Sequence, residues 1–136
     1  MDKEPCKVLV VDDERDTADT AVILLRLWGH EAEAAYSADD AMSKAFVLDP
    51  DVVLVDLVMP ETNGLDLAKE LRAVCPHAKF LAITGFARAD IVRRAHEAGF
   101  ERVLLKPAPA KVLQQVVDSE CAAGPPETPR LRTRTN

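Results

Sequence analysis

No run of about eighteen apolar residues occurs in this 136-residue sequence, so no segment is expected to span a membrane. Met1 to Lys7 is polar and has no apolar core, which excludes a secretory signal. Glycine is scarce at five residues, and apolar content is an ordinary 48%, which excludes collagen, coiled coil and wholesale disorder. Cysteine is limited to Cys6, Cys75 and Cys121. An odd number at wide spacing fits neither a disulfide framework nor a zinc site, so the pattern predicts reduced thiols in a cytoplasmic protein. Positive charge is also lacking: 17 basic residues against 23 acidic ones leave −6. Gly124 to Asn136 holds three Arg and one Glu, so residues 1–123 alone carry −8. Such a body is a poor partner for nucleic acid, which needs clustered cations to displace counterions. It suits protein partners and can hold a metal cation.

What is present is an alternation. Lys7-Val8-Leu9-Val10-Val11 is a short β-branched run that ends in Asp12-Asp13. A helical period follows at Ala21, Leu24, Leu25 and Trp28, stopped by Gly29. Glu31 to Tyr36 reads as a weak strand, and Ser37 to Asp40 as a capping box before Ala41, Met42, Ala45 and Phe46. Val52-Val53-Leu54-Val55 is apolar on both faces, as a central parallel strand requires, and ends in Asp56. A loop with Pro60, Asn63 and Gly64 leads to a helix with Leu67, Leu71 and Val74 on its apolar face. Phe80 to Ile83 ends in Thr84-Gly85, and Ile91, Val92, Ala95 and Ala98 mark a helix closed by Gly99. Val103 to Leu105 ends in Lys106-Pro107, and Pro109 opens a last helix with Leu113, Val116 and Val117. Five strand–helix units predict an α/β fold, a doubly wound parallel sheet with helices on both faces. Residues 1–123 form the expected domain. Residues 124–136, rich in Pro, Thr and Arg, read as a disordered tail.

In a parallel sheet all strand ends of one sense lie at one edge, where open α/β sheets bind ligands. Asp12, Asp13, Asp56, Thr84 and Lys106 therefore converge, although they are far apart in sequence. Three carboxylates at close range repel, so either one is protonated or a cation holds them. Carboxylate oxygens without His or Cys nearby favour Mg²⁺ or Mn²⁺. A carboxylate beside such an ion can attack phosphorus and form an acyl phosphate, with a lysine and a hydroxyl steadying the phosphoryl oxygens. Taken singly, the same residues have plainer readings: the Asp pair as a helix cap, Thr84 as a strand-end hydroxyl, Lys106 as a snorkelling edge lysine.

Val10-Val11-Asp12-Asp13-Glu14, Asp56-Leu57-Val58-Met59-Pro60 with Gly64, Thr84-Gly85 and Lys106-Pro107 resemble, in order and spacing, the receiver domains of two-component response regulators. The resemblance spans residues 7 to about 121. It implies a CheY-like, flavodoxin-like (βα)5 sheet of strand order 2-1-3-4-5. It implies Asp56 as acceptor from a phosphohistidine and Asp13, Asp56 and the Val58 main-chain carbonyl as Mg²⁺ ligands, with Asp12 acting through water. It also implies Thr84 as a switch hydroxyl, Lys106 as the phosphoryl partner, and a cis Lys106–Pro107 bond. One departure is Val103, where the family usually carries the switch aromatic; valine has no ring to take part in a Thr-to-aromatic relay. A second feature is Phe86, two residues past Thr84, which is expected to shield the site.

The implied role is a stand-alone regulator without a DNA-binding output domain, signalling by protein contact. Its partners would be a histidine kinase or histidine-phosphotransfer protein and an unknown downstream target, with no nucleic acid and no membrane. It is expected not to be an enzyme, apart from Mg²⁺-dependent self-phosphorylation and autodephosphorylation. Glu14, Arg15 and Thr17 would border the phosphohistidine partner. The alternatives are a receiver cut from a hybrid kinase and a non-phosphorylated pseudo-receiver. A flavin enzyme fits poorly, because the first loop is acidic and would repel a phosphate. His30, His77 and His96 show no ligand spacing and read as solvated or helix-end residues. Arg88, Arg93 and Arg94 read as a small basic patch.

Overall fold

The computed structural model describes residues 5–60, 62–85 and 88–122. The elements run β1 (Lys7–Val11), α1 (Arg15–Leu27), β2 (Glu31–Ala35), α2 (Ala38–Leu48), β3 (Val52–Asp56), β4 (Val58–Met59), β5 (Thr62–Asn63), α3 (Gly64–Val74), β6 (Lys79–Thr84), α4 (Ala89–Glu97), β7 (Arg102–Leu105) and α5 (Ala110–Ala122). Five strands form one parallel sheet in the order β2-β1-β3-β6-β7. Counting only these long strands, that is the expected 2-1-3-4-5. The antiparallel pair β4–β5 lies outside that sheet and was not visible in the sequence, because two-residue strands carry no periodicity. Phe86 and the proposed tail, 124–136, lie outside the described residues.

Successive strand residues face opposite sides, and the two cores divide accordingly. Leu9 and Val11 of β1, Val53 and Val55 of β3, and Phe80 and Ala82 of β6 pack under α2, α3 and α4. Val8, Val10, Val52, Leu54 and Leu81 face the other way, against α1 and α5. Helices cover both faces, so these strands are apolar on both, as the central run at Val52–Val55 predicted. At the sheet edge, β2 keeps Glu31 and Glu33 in solvent, and charge on an edge strand discourages pairing with another chain.

Helix faces are less well read from the sequence. On α1 the buried residues are Ala18, Val22 and Leu25; of the expected stripe only Leu25 is buried, while Ala21, Leu24 and Trp28 are half-buried. On α2 the expected core residue Phe46 is 79% exposed, and Ala41 and Ala45 carry the contact. Small alanines let α2 lie close to the sheet, which leaves the larger ring outside.

Helix ends follow local chemistry. Gly29 has φ +97°. The Gly29 N–H donates to Arg26 O and the His30 N–H to Leu25 O, the paired bonds of a Schellman ending. Ser37 Oγ accepts from Asp40 N at 3.1 Å, but the Asp40 carboxylate accepts from Tyr36 N instead of completing the box on Ser37. Asn63 Oδ1 caps α3 by accepting from Leu65 N at 2.8 Å. Arg88 pairs with Asp90 and Arg93 with Glu97, so two of the three arginines of the basic patch are locally matched.

The cysteine reading is corrected: Cys6 and Cys121, 115 residues apart, are joined in a disulfide, and among the described residues only Cys75 is free. The His30 reading is corrected as well. Its ring is buried between Cys6 and Asp118. Neither relation can be read from spacing, because the start of β1 and the end of α5 meet only when the sheet closes.

Candidate functional site

Each chemistry-bearing residue is delivered by the end of a strand. Asp12 follows β1, Asp56 closes β3, Thr84 closes β6 and Lys106 follows β7. Parallel pairing brings them to one edge, and the backbone links them there: Asp12 N donates to Ala35 O, and Lys106 N donates to Thr84 O at 2.8 Å. Asp12, Asp56 and Thr84 are almost fully buried, at 2%, 3% and 0% exposure, whereas Asp13 faces solvent.

The Lys106 ammonium sits between two of these carboxylates. Its Nζ lies 2.9 Å from Asp12 Oδ2 and 3.0 Å from Asp56 Oδ2, with Glu14 Oε1 at 3.8 Å. Glu14 is thus a third acidic partner of the lysine, besides lying where docking was expected. Its place directly after the two aspartates was the available signal. Glu14 N also donates to Asp12 Oδ1, and Val58 N donates to Asp56 Oδ1, both at 3.0 Å. These short loop bonds orient the two carboxylates so that their other oxygens, Asp12 Oδ2 and Asp56 Oδ2, meet the Lys106 ammonium. Burial raises the Asp56 carboxyl above the ordinary aspartate value, against the lowering effects of the Val58 N–H and the Lys106 amine. Burial also works against the charged amine of Lys106, but its hydrogen bonds to Asp12 and Asp56 outweigh that and hold it above the usual lysine value.

Asp12, Asp13 and Asp56 each offer a carboxylate oxygen, all within 4.8 Å of one another. Oxygen donors alone, with no sulfur or imidazole among them, make a set suited to a hard divalent cation. Val58 follows Asp56 by two residues in β4, with its side chain half in solvent. Gly64 explains how this loop stays tight. A Cβ at Gly64 would lie 2.7 Å from Asp56 O and from Leu57 Cα, so any side chain would push the start of α3 off the Asp56 backbone. The Lys106–Pro107 peptide bond is cis.

Thr84 lies at the sheet edge beside β7, where its backbone pairs with Leu105. Val103 is half-buried and packs toward the α2–α4 side of the core, so no ring stands at that place. Next to Lys106, Thr17, Thr20 and Leu24 of α1 face Pro107, Ala108 and Leu113 across an open cleft of about 520 Å³. This cleft lies beside the residues that were expected to border a partner.

The family model for the response regulator receiver domain matches residues 8–118. The transcriptional regulatory protein ZraR of Salmonella typhimurium is 33% identical over 115 residues, covering 85% of this chain and 26% of ZraR. The chemotaxis protein CheY of Thermotoga maritima is 32% identical over 110 residues, covering 79% of this chain and 92% of that protein. The chain thus spans about a quarter of one of these relatives and nearly all of the other. Among solved structures, a CheY-like receiver domain protein from Methanospirillum hungatei superimposes with a TM-score of 0.81 at 22% identity, covering 88% of this chain and 96% of that one, a likeness of fold. The chain belongs to the response regulator receiver domains of two-component signalling.

Proposed function

We propose that this receiver takes a phosphoryl group from a phosphohistidine onto Asp56 and passes the signal on by protein contact. The observation that carries the reading is the lysine held between two buried carboxylates at the sheet edge, open to the cleft along α1. An Asp56 oxygen attacks phosphorus, the N–P bond breaks, and its electron pair returns to the donor imidazole. The product is an acyl phosphate on Asp56. Lys106 is placed to meet the charge on the phosphoryl oxygens, and Thr84 supplies the hydroxyl at the same edge. Asp13, Asp56 and the Val58 carbonyl would hold Mg²⁺ or Mn²⁺, with Asp12 acting through water; the cation would neutralise phosphoryl charge. The α1 cleft beside Glu14, Arg15 and Thr17 is the docking surface for a histidine kinase or phosphotransfer protein. The domain comprises residues 1–123, does no turnover chemistry beyond its own phosphorylation and dephosphorylation, and works in the cytoplasm without nucleic acid or membrane.

The test is intact mass after incubation with acetyl phosphate and Mg²⁺. One added phosphate that requires both Asp56 and the cation supports the reading. Retention of the adduct by Asp56→Asn overturns the acceptor. No adduct from acetyl phosphate or from any phosphohistidine donor leaves the pseudo-receiver. We further propose a single-domain regulator, on the near-complete coverage of the Thermotoga CheY. The second reading, a receiver joined to an output domain, is favoured by the 26% coverage of ZraR. An immunoblot of source cells separates them: a band at the size of this chain supports the first, a larger band the second.

A further inference from the structure

We propose that Cys6 and Cys121 form a redox-active pair, opened and closed by low-molecular-weight thiols with the help of His30 and Asp118. This site lies at the end of the sheet away from the phosphoacceptor, and the inference stands apart from phosphoryl transfer. Cys6 enters β1 and Cys121 lies in the last turn of α5. The Schellman ending of α1 turns the chain so that His30 enters the space beside them. A His30 ring nitrogen and both sulfurs lie within 4.8 Å of one another.

The ring is oriented at both nitrogens. His30 Nδ1 accepts from the Cys6 N–H at 3.1 Å, so Nε2 carries the proton and donates to Asp118 Oδ1 at 3.0 Å. Nδ1 is thus held by the Cys6 backbone N–H and not by a sulfur; to meet the leaving Cys6 sulfur it must release that bond and carry a proton, and the Asp118 carboxylate would stabilise the resulting imidazolium. The two sulfurs also differ in access. Cys6 is 5% exposed, whereas Cys121 is half-buried and reaches solvent.

That asymmetry sets the order of steps. A thiolate RS⁻ attacks the Cys121 sulfur, the Cys6–Cys121 bond breaks, and its electron pair leaves on Cys6 beside the imidazole. A second RS⁻ displaces Cys121 from the mixed disulfide and forms RSSR. Two protons from the two RSH end on the two protein thiols, so the disulfide and 2 RSH give two cysteines and RSSR. The reverse reaction, with RSSR as oxidant, closes the pair. In the cytoplasm, where the proposed function places this protein, a disulfide is ordinarily transient, catalytic or redox-sensing. Cys75 takes no part. It is buried under α3, and burial first, with Asp49 adding, pushes its thiol up to about 11.

The test holds the folded full-length protein in glutathione buffers of stepped ratio, quenches with acid and counts free thiols by alkylation and intact mass. Circular dichroism monitors the fold. The expected result is a reversible change between one and three free thiols with the fold intact. The first mixed disulfide should map to Cys121. The opening rate should fall about tenfold in His30→Gln and in Asp118→Asn, as expected when the leaving sulfur loses the imidazolium that would protonate it. Asp118 is partly exposed, so that variant reads the same step if His30→Gln fails to fold. The proposal is overturned if the bond opens only when the fold melts, if the adduct maps to Cys6, or if the folded variants open at the wild-type rate. It is also overturned if three free thiols persist in oxidised glutathione. One zinc ion bound to the protein as purified, with all thiols reduced, would assign the cluster to metal holding instead.

Discussion

Replacing Lys106 by Met removes the charge that lies 2.9 Å from Asp12 and 3.0 Å from Asp56, while keeping most of the side-chain volume. At an effective dielectric of about 20, each contact is worth about 5–6 kcal/mol of attraction before desolvation. What remains is two carboxylates whose nearest oxygens are within 4.8 Å, repelling by about 3–4 kcal/mol on the same basis. Removing one partner of a buried pair costs about 3–5 kcal/mol, and the lysine keeps 20% of its side chain exposed, so we expect about 3 kcal/mol at neutral pH. The pH dependence has a definite sign. Asp56 already lies above the ordinary aspartate value through burial, and losing the amine that lowers it raises it further. The folded variant then binds a proton more tightly than the unfolded chain. Its deficit shrinks as pH falls through the raised folded value toward the ordinary carboxylate range, and returns as pH rises. The assay is urea unfolding in chelator at about pH 7.5 and pH 5, with a midpoint lowered by about 1–2 M at the higher pH. Added Mg²⁺ should restore the variant by more than it stabilises the wild type, since the cation takes over neutralisation. An unchanged midpoint at neutral pH, or a deficit that grows on acidification, would refute the reasoning.

Gly64→Ala should cost about 1–3 kcal/mol and slow phosphoryl uptake from acetyl phosphate, because the new Cβ meets the Asp56 and Leu57 backbone at 2.7 Å; urea midpoints and intact mass check the two effects. Ser37→Ala removes the oxygen that caps Asp40 N and should cost about 1 kcal/mol in urea unfolding, with no change in phosphate uptake. Reducing the Cys6–Cys121 bond opens a loop of 115 residues and should lower stability by about 4–5 kcal/mol on chain entropy, measured by comparing oxidised and reduced protein in one denaturant series.

The sequence by itself determined the five long strands, their parallel arrangement and the edge at which the chemistry gathers. These rest on short-range facts. A strand buried on both faces must be apolar at every position, as at Val52–Val55, and residues that end such strands share one edge. The same local logic placed the Gly29 stop and the Ser37 cap, which depend on neighbours within one helical turn. Tertiary structure decided what depends on distant chain segments. It chose Ala18, Val22 and Leu25 as the buried side of α1 and turned Phe46 outward on α2, because close packing against the sheet rewards fit over hydrophobicity alone. It set the Lys106 amine between Asp12 and Asp56, 94 and 50 residues away, where strand ends alone predict only a shared edge. It also joined Cys6 to Cys121 and buried His30 against Asp118 across 88 residues, contacts that exist only because β1 and α5 lie side by side once the sheet is formed.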